Sequence, residues 1–385
     1  MFSGETWLSI DCGARTPSVD ALTFTQWVTD DKYIKTGENK LLSTPTNLFE
    51  MSTLRSFPKL GNSNNNNNSN KYCYNLPLKS QSKYLVRAGF YYGNYDNLKK
   101  PPTFNLQLRS GSVNVKVTTS LDLDPIYHEF IIFTTESSDF DVCLVETQED
   151  EVPFISTLEA TIIHEQEVYR LMNKNMVLYL ESRINYGVDQ SVPDRFVSLV
   201  EKYNRIWKPQ EDPRYLSSQF GPNIPISYSV EENNPPDVVI NSLIEAHNAS
   251  QSIVLPINFR QKSQVLAYFI LYFDVTAAYK PLEEPRTVSI SIDGKIMNTT
   301  QLPGFLRGEV VSIFPIKVNG GVATLSIASV GATTSTSLPP PAILNAMEVF
   351  SVLDVSDVGR SSVVGSSFSL VMLLLMLYCT EWIDF

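Results

Sequence analysis

YLVRAGFYYGNYD at residues 84–96 and VLAYFILYFDVTA at residues 265–277 are apolar, aromatic runs of strand length, and each heads a series. After the first come FNLQLRSG (104–111), FIIFTTESSDFDVCLV (130–145) and PFISTLEATII (153–163). After the second come VSISIDGK (288–295), ATLSIASVGATTSTSLPPP (323–341) and PAILNAMEVF (341–350). Four segments recur in one order, which predicts two similar β domains joined near Tyr186–Pro209. The first sandwich is expected to end near Ile163 and the second near Phe350.

Alternation with period two supports this reading. Phe104, Leu106 and Leu108 alternate with polar neighbours, as do Val113, Val115 and Val117, and Val288, Ile290 and Ile292. Each triplet turns apolar side chains to one face of a strand. Helical periodicity is scarce. Its best candidate is Pro236–His247, with proline at the start and Asp237 in the first turn. Gly and Pro break the strands at short intervals, as in antiparallel sandwiches. The expected division is a first domain over 7–185, a linker over 186–209, a second domain over 210–352 and a tail over 353–385.

Composition bounds the function. The 385 residues are 43% hydrophobic and 11% aromatic, ample for packed cores and contrary to disorder. A net charge of −11 with no basic run longer than Lys99-Lys100 excludes nucleic acid, whose phosphates need clustered Lys and Arg. Cys12, Cys73, Cys143 and Cys379 form no CxxC pair, and three His leave a structural zinc site almost without ligands. The first three cysteines read as one disulfide and one free thiol, with the pairing open. Three N-x-[ST] sequons, at Asn67, Asn248 and Asn298, point to a secreted glycoprotein. Against that, MFSGETWLSIDCG (1–13) shows no basic region followed by an apolar core. The island NSNNNNNSN (62–70) has nothing to bury and reads as a solvated loop.

An ordered set of short motifs carries a family resemblance. WLSIDCG (7–13), WVTDDKYIKTG (27–37), RSFP (55–58), KYCYNLPL (71–78) and the 84–96 stretch open it. HEFIIFTTESSDFDVCLV (128–145), PFISTLEATII, RIWKP (205–209) and LPPPAILNAMEVF (338–350) continue it. Over about 7–350 the chain resembles the plant malectin-like proteins, whose region forms two tandem jelly-roll-like β-sandwiches in receptor-like kinase ectodomains. The resemblance implies an all-β fold with few short helices, a place outside the cell at the plasma membrane, and a part in signalling. It implies binding of a cell-wall glycan or a secreted peptide, with a receptor or co-receptor as protein partner, and no cofactor. The chain departs from that plan after Phe350, where neither leucine-rich repeats nor kinase motifs follow.

The segment SSVVGSSFSLVMLLLMLYCT (361–380) is long enough to cross a bilayer as a helix. The downstream EWIDF is acidic, the wrong charge for a cytoplasmic flank, and the spacer before the apolar part is short for a lipid-anchor signal. The tail is expected to lie outside the sandwich. A truncated reading, a marginal span and an anchor signal remain the alternatives for it.

Enzyme chemistry finds little footing. There is no GxSxG elbow, HExxH or P-loop. His128-Glu129 and His164-Glu165 are adjacent pairs, which a strand turns to opposite faces, and they read as surface polar residues. Asp122 and Asp124 are far short of a calcium shell and read as a solvated turn. The stretch with binding character is 89–96, where Tyr91, Tyr92, Tyr95 and Asp96 set rings beside acceptors, as a sugar site requires. The competing reading places those rings between sheets. The expectation is a non-enzymatic recognition module. A free-standing interaction protein that modulates a receptor and a carbohydrate-active enzyme are the alternatives.

Overall fold

The computed structural model describes residues 7–354 except 22–23, 43–47, 60–69, 109–110, 135–139, 189–201, 220–231, 234, 279–284, 305–306 and 332–337. The tail segment 361–380, Cys379 and Asn67 therefore lie outside the described residues.

The first half runs β1 (Trp7–Asp11), β2 (Ser18–Val19), β3 (Gln26–Thr29), β4 (Glu38–Leu41), β5 (Thr53–Ser56), β6 (Lys71–Leu76) and β7 (Lys83–Phe90). It continues with β8 (Thr103–Leu108), β9 (Val113–Thr118), β10 (Ile126–Phe133), β11 (Phe140–Glu146), β12 (Phe154–Ile155) and β13 (Thr157–Ile163). The second half runs β14 (Met176–Tyr186), β15 (Lys208–Gln210), β16 (Leu216–Gln219), β17 (Ser242–Glu245), β18 (Ile253–Asn258) and β19 (Val265–Asp274). It ends with β20 (Thr287–Ile292), β21 (Lys295–Gln301), β22 (Gly308–Val318), β23 (Val322–Ser329), β24 (Ile343–Leu344) and β25 (Ala346–Asp354).

Sheet topology repeats strand for strand. Order β3-β1-β13-β7-β10 is matched by β15-β14-β25-β19-β22, and in each the first pair is parallel. Order β6-β11-β8-β9 is matched by β18-β23-β20-β21, and β12-β5-β4 by β24-β17-β16. Only β2 has no counterpart among the described strands. This correspondence makes β14 the opening strand of the second repeat. Residues 176–185, assigned by sequence to the first domain, occupy the place that β1 holds in the first.

The two halves are joined by hydrogen bonding. β10 pairs with β14 through Phe130↔Tyr179 and Ile131↔Leu178, so one 11-stranded sheet runs through both. Over one face of that sheet the small sheet with β6, β8 and β11 closes a core that includes Val86, Phe104, Leu144 and Leu158. Over the same face of the second half, β18, β20 and β23 close a core that includes Leu255, Phe269, Ile290 and Val349. The opposite face carries a third core, which takes Leu85, Ile131 and Leu178 together with Tyr203, Trp207, Ile270 and Phe350. Strands β7, β13 and β19 are thus buried on both faces. That explains why FILYF reads as a continuous apolar run while β8 and β20 alternate.

The described end of the expected linker, 202–209, is packed. Tyr203, Arg205 and Trp207 are all 1% exposed or less; the two rings belong to the third core and the Arg205 guanidinium lies against both. Beneath them a row of charge crosses five neighbouring strands in the order Glu159, Arg87, Glu129, Arg183, Glu348. Arg87 Nε lies 3.1 Å from Glu129 Oε2 and its Nη1 3.5 Å from Glu159 Oε1. Arg183 Nη2 lies 2.6 Å from Glu129 Oε1 and its Nε 2.6 Å from Glu348 Oε1. Arg205 Nη1 lies 3.6 Å from Glu348 Oε2, which also accepts the Tyr272 hydroxyl at 2.5 Å. Three guanidiniums meet three carboxylates, so the buried row is neutral. Burial pushes the Glu129 carboxyl up, but Arg183 and Arg87 outweigh it and hold the group below its ordinary value.

Two sequence readings are corrected here. His128 and Glu129 do point to opposite faces, yet neither is at the surface, both being 3% exposed. His128 Nδ1 shares a 2.6 Å hydrogen bond with the Tyr179 hydroxyl, and burial pushes its pKa down to about 3. The helix expected over Pro236–His247 shrinks to α1 (Asp237–Ile240). From Ser242 the chain pairs instead with β16 and β24, and tertiary pairing overrides local preference. Cys73 and Cys143 face each other across β6 and β11 and form the disulfide, with Cys12 buried as a free thiol.

Candidate functional site

The aromatic loop after β7 is closed on itself. Tyr91 and Tyr92 are 2% and 1% exposed and belong to the first core, so these two rings are core residues rather than a sugar platform. Tyr95 and Asp96 are half-buried. Asp96 Oδ1 accepts the Tyr92 hydroxyl at 2.5 Å and Leu98 N at 3.0 Å, while Asn94 Oδ1 accepts Lys99 N at 2.8 Å. Tyr95 packs on Tyr92 and Phe154 with ring centroids 5.6 and 5.5 Å apart. Gly93 turns the chain at φ +49°, where an added Cβ would meet Leu42 at 3.0 Å. Burial, then the Asp96 hydrogen bond, pushes the Tyr92 hydroxyl up to about 12. Asp96 Oδ1 and Asn94 Oδ1 are thus used within the loop. Replacing Asp96 by alanine is expected to cost about 1–2 kcal/mol by leaving the Tyr92 hydroxyl and Leu98 N–H without their acceptor. Urea unfolding checks this, and a change under about 0.3 kcal/mol would show that the loop is held otherwise.

A cleft of about 370 Å³ lies over β14 in the second repeat. Ser182 and Ile184 of β14, Met347 of β25, Gln210 of β15 and Pro256 and Asn258 of β18 are among the residues that line it. Its two charged lining residues are already paired. Glu181 Oε1 accepts Ser351 Oγ at 2.6 Å and its Oε2 accepts Arg260 Nη1 at 3.2 Å. Arg214 holds Asp212 through Nε at 2.9 Å and Nη2 at 2.6 Å.

The first repeat fills the same place. ID-C-G at 10–13 and IN-Y-G at 184–187 are equivalent, for Cys12 N donates to Ser156 O and Tyr186 N to Asn345 O, both at 2.9 Å. Gly13 and Gly187 both sit at φ +79°, where a Cβ would meet the carbonyl oxygens of Leu54 and Leu243 at 2.1 Å. Thr53 Oγ1 donates to Asp11 Oδ1 at 2.6 Å as Ser242 Oγ donates to Asn185 Oδ1 at 2.9 Å. Parallel pairing then sets Asp30 opposite Gln210 in the alignment, and Arg55 opposite Ile244. Asp30 is fully buried and binds Gly13 N, Arg55 and the Tyr74 hydroxyl, closing the slot. In the second repeat Gln210 is exposed and lines the cleft, and Ile244 is buried in the second core. Sequence reading missed these residues; the echo of IDCG in INYG was the signal that would have found them.

Asp11 gives a pH test of this correspondence. Burial, then the nearby Glu50 and Asp30 charges, push its carboxyl up to about 7 from 3.8, against the lowering effect of Thr53. A raised folded-state value means stability present in full below about pH 4 and lost as pH rises to 7. Each pH unit in that interval is worth at most about 1.4 kcal/mol. Asp11→Asn, which copies Asn185, removes the loss, while the opposing contribution of neutral His128 is common to both proteins. The melting-temperature gap is expected to move in favour of the variant between pH 5 and pH 7.5. A gap constant with pH would refute the assignment.

The remaining sequence candidates separate. Asn248 is exposed and its Oδ1 accepts Ser250 N and Gln251 N; Asn298 is half-buried on β21. Asp122 and Asp124 are exposed. His164 is exposed, and Glu165 pairs with Lys202. Among the described residues no group of three or more His, Cys, Asp or Glu is placed to hold a metal ion, and no helix is long and apolar enough to cross a membrane.

Comparison with known proteins agrees with this architecture. The malectin-like domain family model matches residues 10–352, and the chain belongs to that family. It is 30% identical over 276 residues to the Arabidopsis thaliana uncharacterized protein At1g24485, covering 71% of this chain and 51% of that one. It is 26% identical to the Arabidopsis putative leucine-rich repeat receptor-like serine/threonine-protein kinase At2g14440, over 91% of this chain and 37% of the kinase. The chain thus spans about half, or less, of the length of these relatives. Among solved structures it resembles the ANXUR1 extracellular domain from Arabidopsis thaliana, with a TM-score of 0.71 and 16% identity over 91% of this chain and 97% of that one. It also resembles a chain of the plant peptide RALF23 complex with FER and LLG2, with a TM-score of 0.67 and 14% identity over 91% and 96% of the two chains.

Proposed function

We propose that the chain is a non-enzymatic extracellular recognition module of the receptor-like kinase type, which holds a cell-wall carbohydrate or a secreted peptide together with a protein partner. The observation that carries this is the malectin-like fold of the described residues, which the chain has in common with receptor-like kinase ectodomains. The peptide complex containing FER and LLG2 supports a peptide and co-receptor partner. Of the aromatic stretch, Tyr95 and Asp96 keep some exposed surface for a glycan contact, and the cleft over β14 is a second place to look. Asn248 and Asn298 are the glycan acceptors we assign within the described residues. The test is a panel of wall oligosaccharides and secreted peptides, read separately for binding and for product. Binding with recovery of unchanged ligand is expected. Product above the blank would replace this reading by that of a carbohydrate-active enzyme.

A further inference from the structure

Strands β4, β6 and β9 end their sheets, and so do their counterparts β16, β18 and β21. Two strands of the second repeat lack a neighbour that their counterparts have. They are β15, where β3 is bonded to β2, and β22, where β10 is bonded to β14. The first is three residues long and has no buried side chain. The second is eleven residues long and, among the described strands, is bonded only to β19.

Register carries the comparison to single residues. Counted from the equivalent Ser156 and Asn345, Ala160 matches Val349. Ala160 faces Val86, which faces Phe130; Val349 faces Phe269, which faces Ile313. Ile313 is thus the counterpart of Phe130, and Phe314 that of Ile131. In the first repeat β14 seals this position. Phe130 and Ile131 are 1% exposed or less, Tyr179 stacks on Phe130 with centroids 4.8 Å apart, and Leu178 joins Ile131 in the third core. In the second repeat Ile313 and Phe314 are half-buried, one packed on the second core and the other on the third. Apolar side chains on both faces of a bare edge are half of a sheet junction. Pro315 has no N–H, and the pairing of β22 with β19 shifts register between Ala267 and Phe269, so the usable edge is Gly308–Phe314.

We propose that the β22 edge at Gly308–Phe314 is the docking surface for a protein partner, which adds one short antiparallel strand to the large sheet. Its strand carries two adjacent apolar residues, one for each face, as Leu178 and Tyr179 do on β10. Main-chain hydrogen bonds supply the affinity, and the seats beside Ile313 and Phe314 supply the selectivity. The strand comes from a different protein. A second copy of this chain cannot repeat the junction, because β14 and its counterpart β1 are already bonded on both sides. This deepens the recognition reading above, on which it rests for the existence of a protein partner.

The test is hydrogen exchange of the purified chain, with and without an end-blocked peptide that copies 174–182, KNMVLYLES. Exchange over 308–314 is expected to slow by roughly 3-fold or more on saturation, with the edge strands β18 and β21 unchanged. A control peptide with serine in place of the leucine and tyrosine that copy Leu178 and Tyr179 should have no effect. Ile313→Lys, which sets a charge in the apolar seat, should weaken binding by roughly 10-fold or more. If that variant does not fold, the exchange map and the serine peptide decide by themselves. Protection over another strand, equal binding of the serine peptide, or no binding overturns the proposal. Amides of 308–314 already protected in the free chain also overturn it: in a monomer the chain itself covers the edge, and in a dimer a second copy does. None of these outcomes alters the result of the panel of oligosaccharides and peptides, so the recognition reading stands or falls separately.

Discussion

Replacing Arg183 by methionine is expected to destabilise the chain by about 3–5 kcal/mol. The guanidinium is 1% exposed and lies between Glu129 and Glu348, 2.6 Å from each. Without it two carboxylates stay buried in a row whose charges no longer cancel, and Tyr169, whose hydroxyl donates to Glu348 at 2.9 Å, offers no positive charge. Against a total stability of about 5–15 kcal/mol this is a large fraction, so the yield of folded protein should fall sharply. Lys40→Met is the control: it breaks an ion pair whose side chains are 38% and 50% exposed, and is expected to cost less than about 1 kcal/mol. Urea unfolding separates the two. Equal midpoints for the variants would mean that the buried row contributes nothing specific.

Trp207→Ala should cost about 3–5 kcal/mol for a different reason. Trp207 is fully buried in the third core, its ring 5.7 Å from Tyr272 in a T-shaped contact. The guanidinium carbons of Arg205 and Arg183 lie 5.2 and 5.7 Å from the same ring. Truncation leaves a cavity and uncovers two buried cations together. Trp207→Phe keeps most of the volume and should recover more than half of the loss. A Trp207→Ala protein as stable as the parent would return 202–210 to the status of a connecting loop.

These two residues show where reading the sequence stopped. The fold was legible because β7 and β19 carry apolar runs too long for turns, and β8 and β20 alternate cleanly; both patterns are local. Glu129, Arg183 and Glu348 gave no such signal. Each is an ordinary charged residue beside apolar neighbours, and only cross-strand register brings them into one row. Arg205 and Trp207 stood in a recognised motif, RIWKP, but nothing local says that the motif packs against a sheet. For the binding residues the limit was similar. Tyr91 and Tyr92 have the composition of a sugar platform and of a core alike, and burial decided between them. That Gln210 stands where the first repeat has Asp30 became visible only through strand register.

The account stands on one claim above the others: the two repeats are a single cooperative body, fused through β10, β14 and the charged row. Scanning calorimetry of the purified chain tests it most directly. A single transition is predicted, with calorimetric and van't Hoff enthalpies equal. Two resolved transitions, each with the enthalpy of half the chain, would contradict it and make the repeats independent domains on a tether.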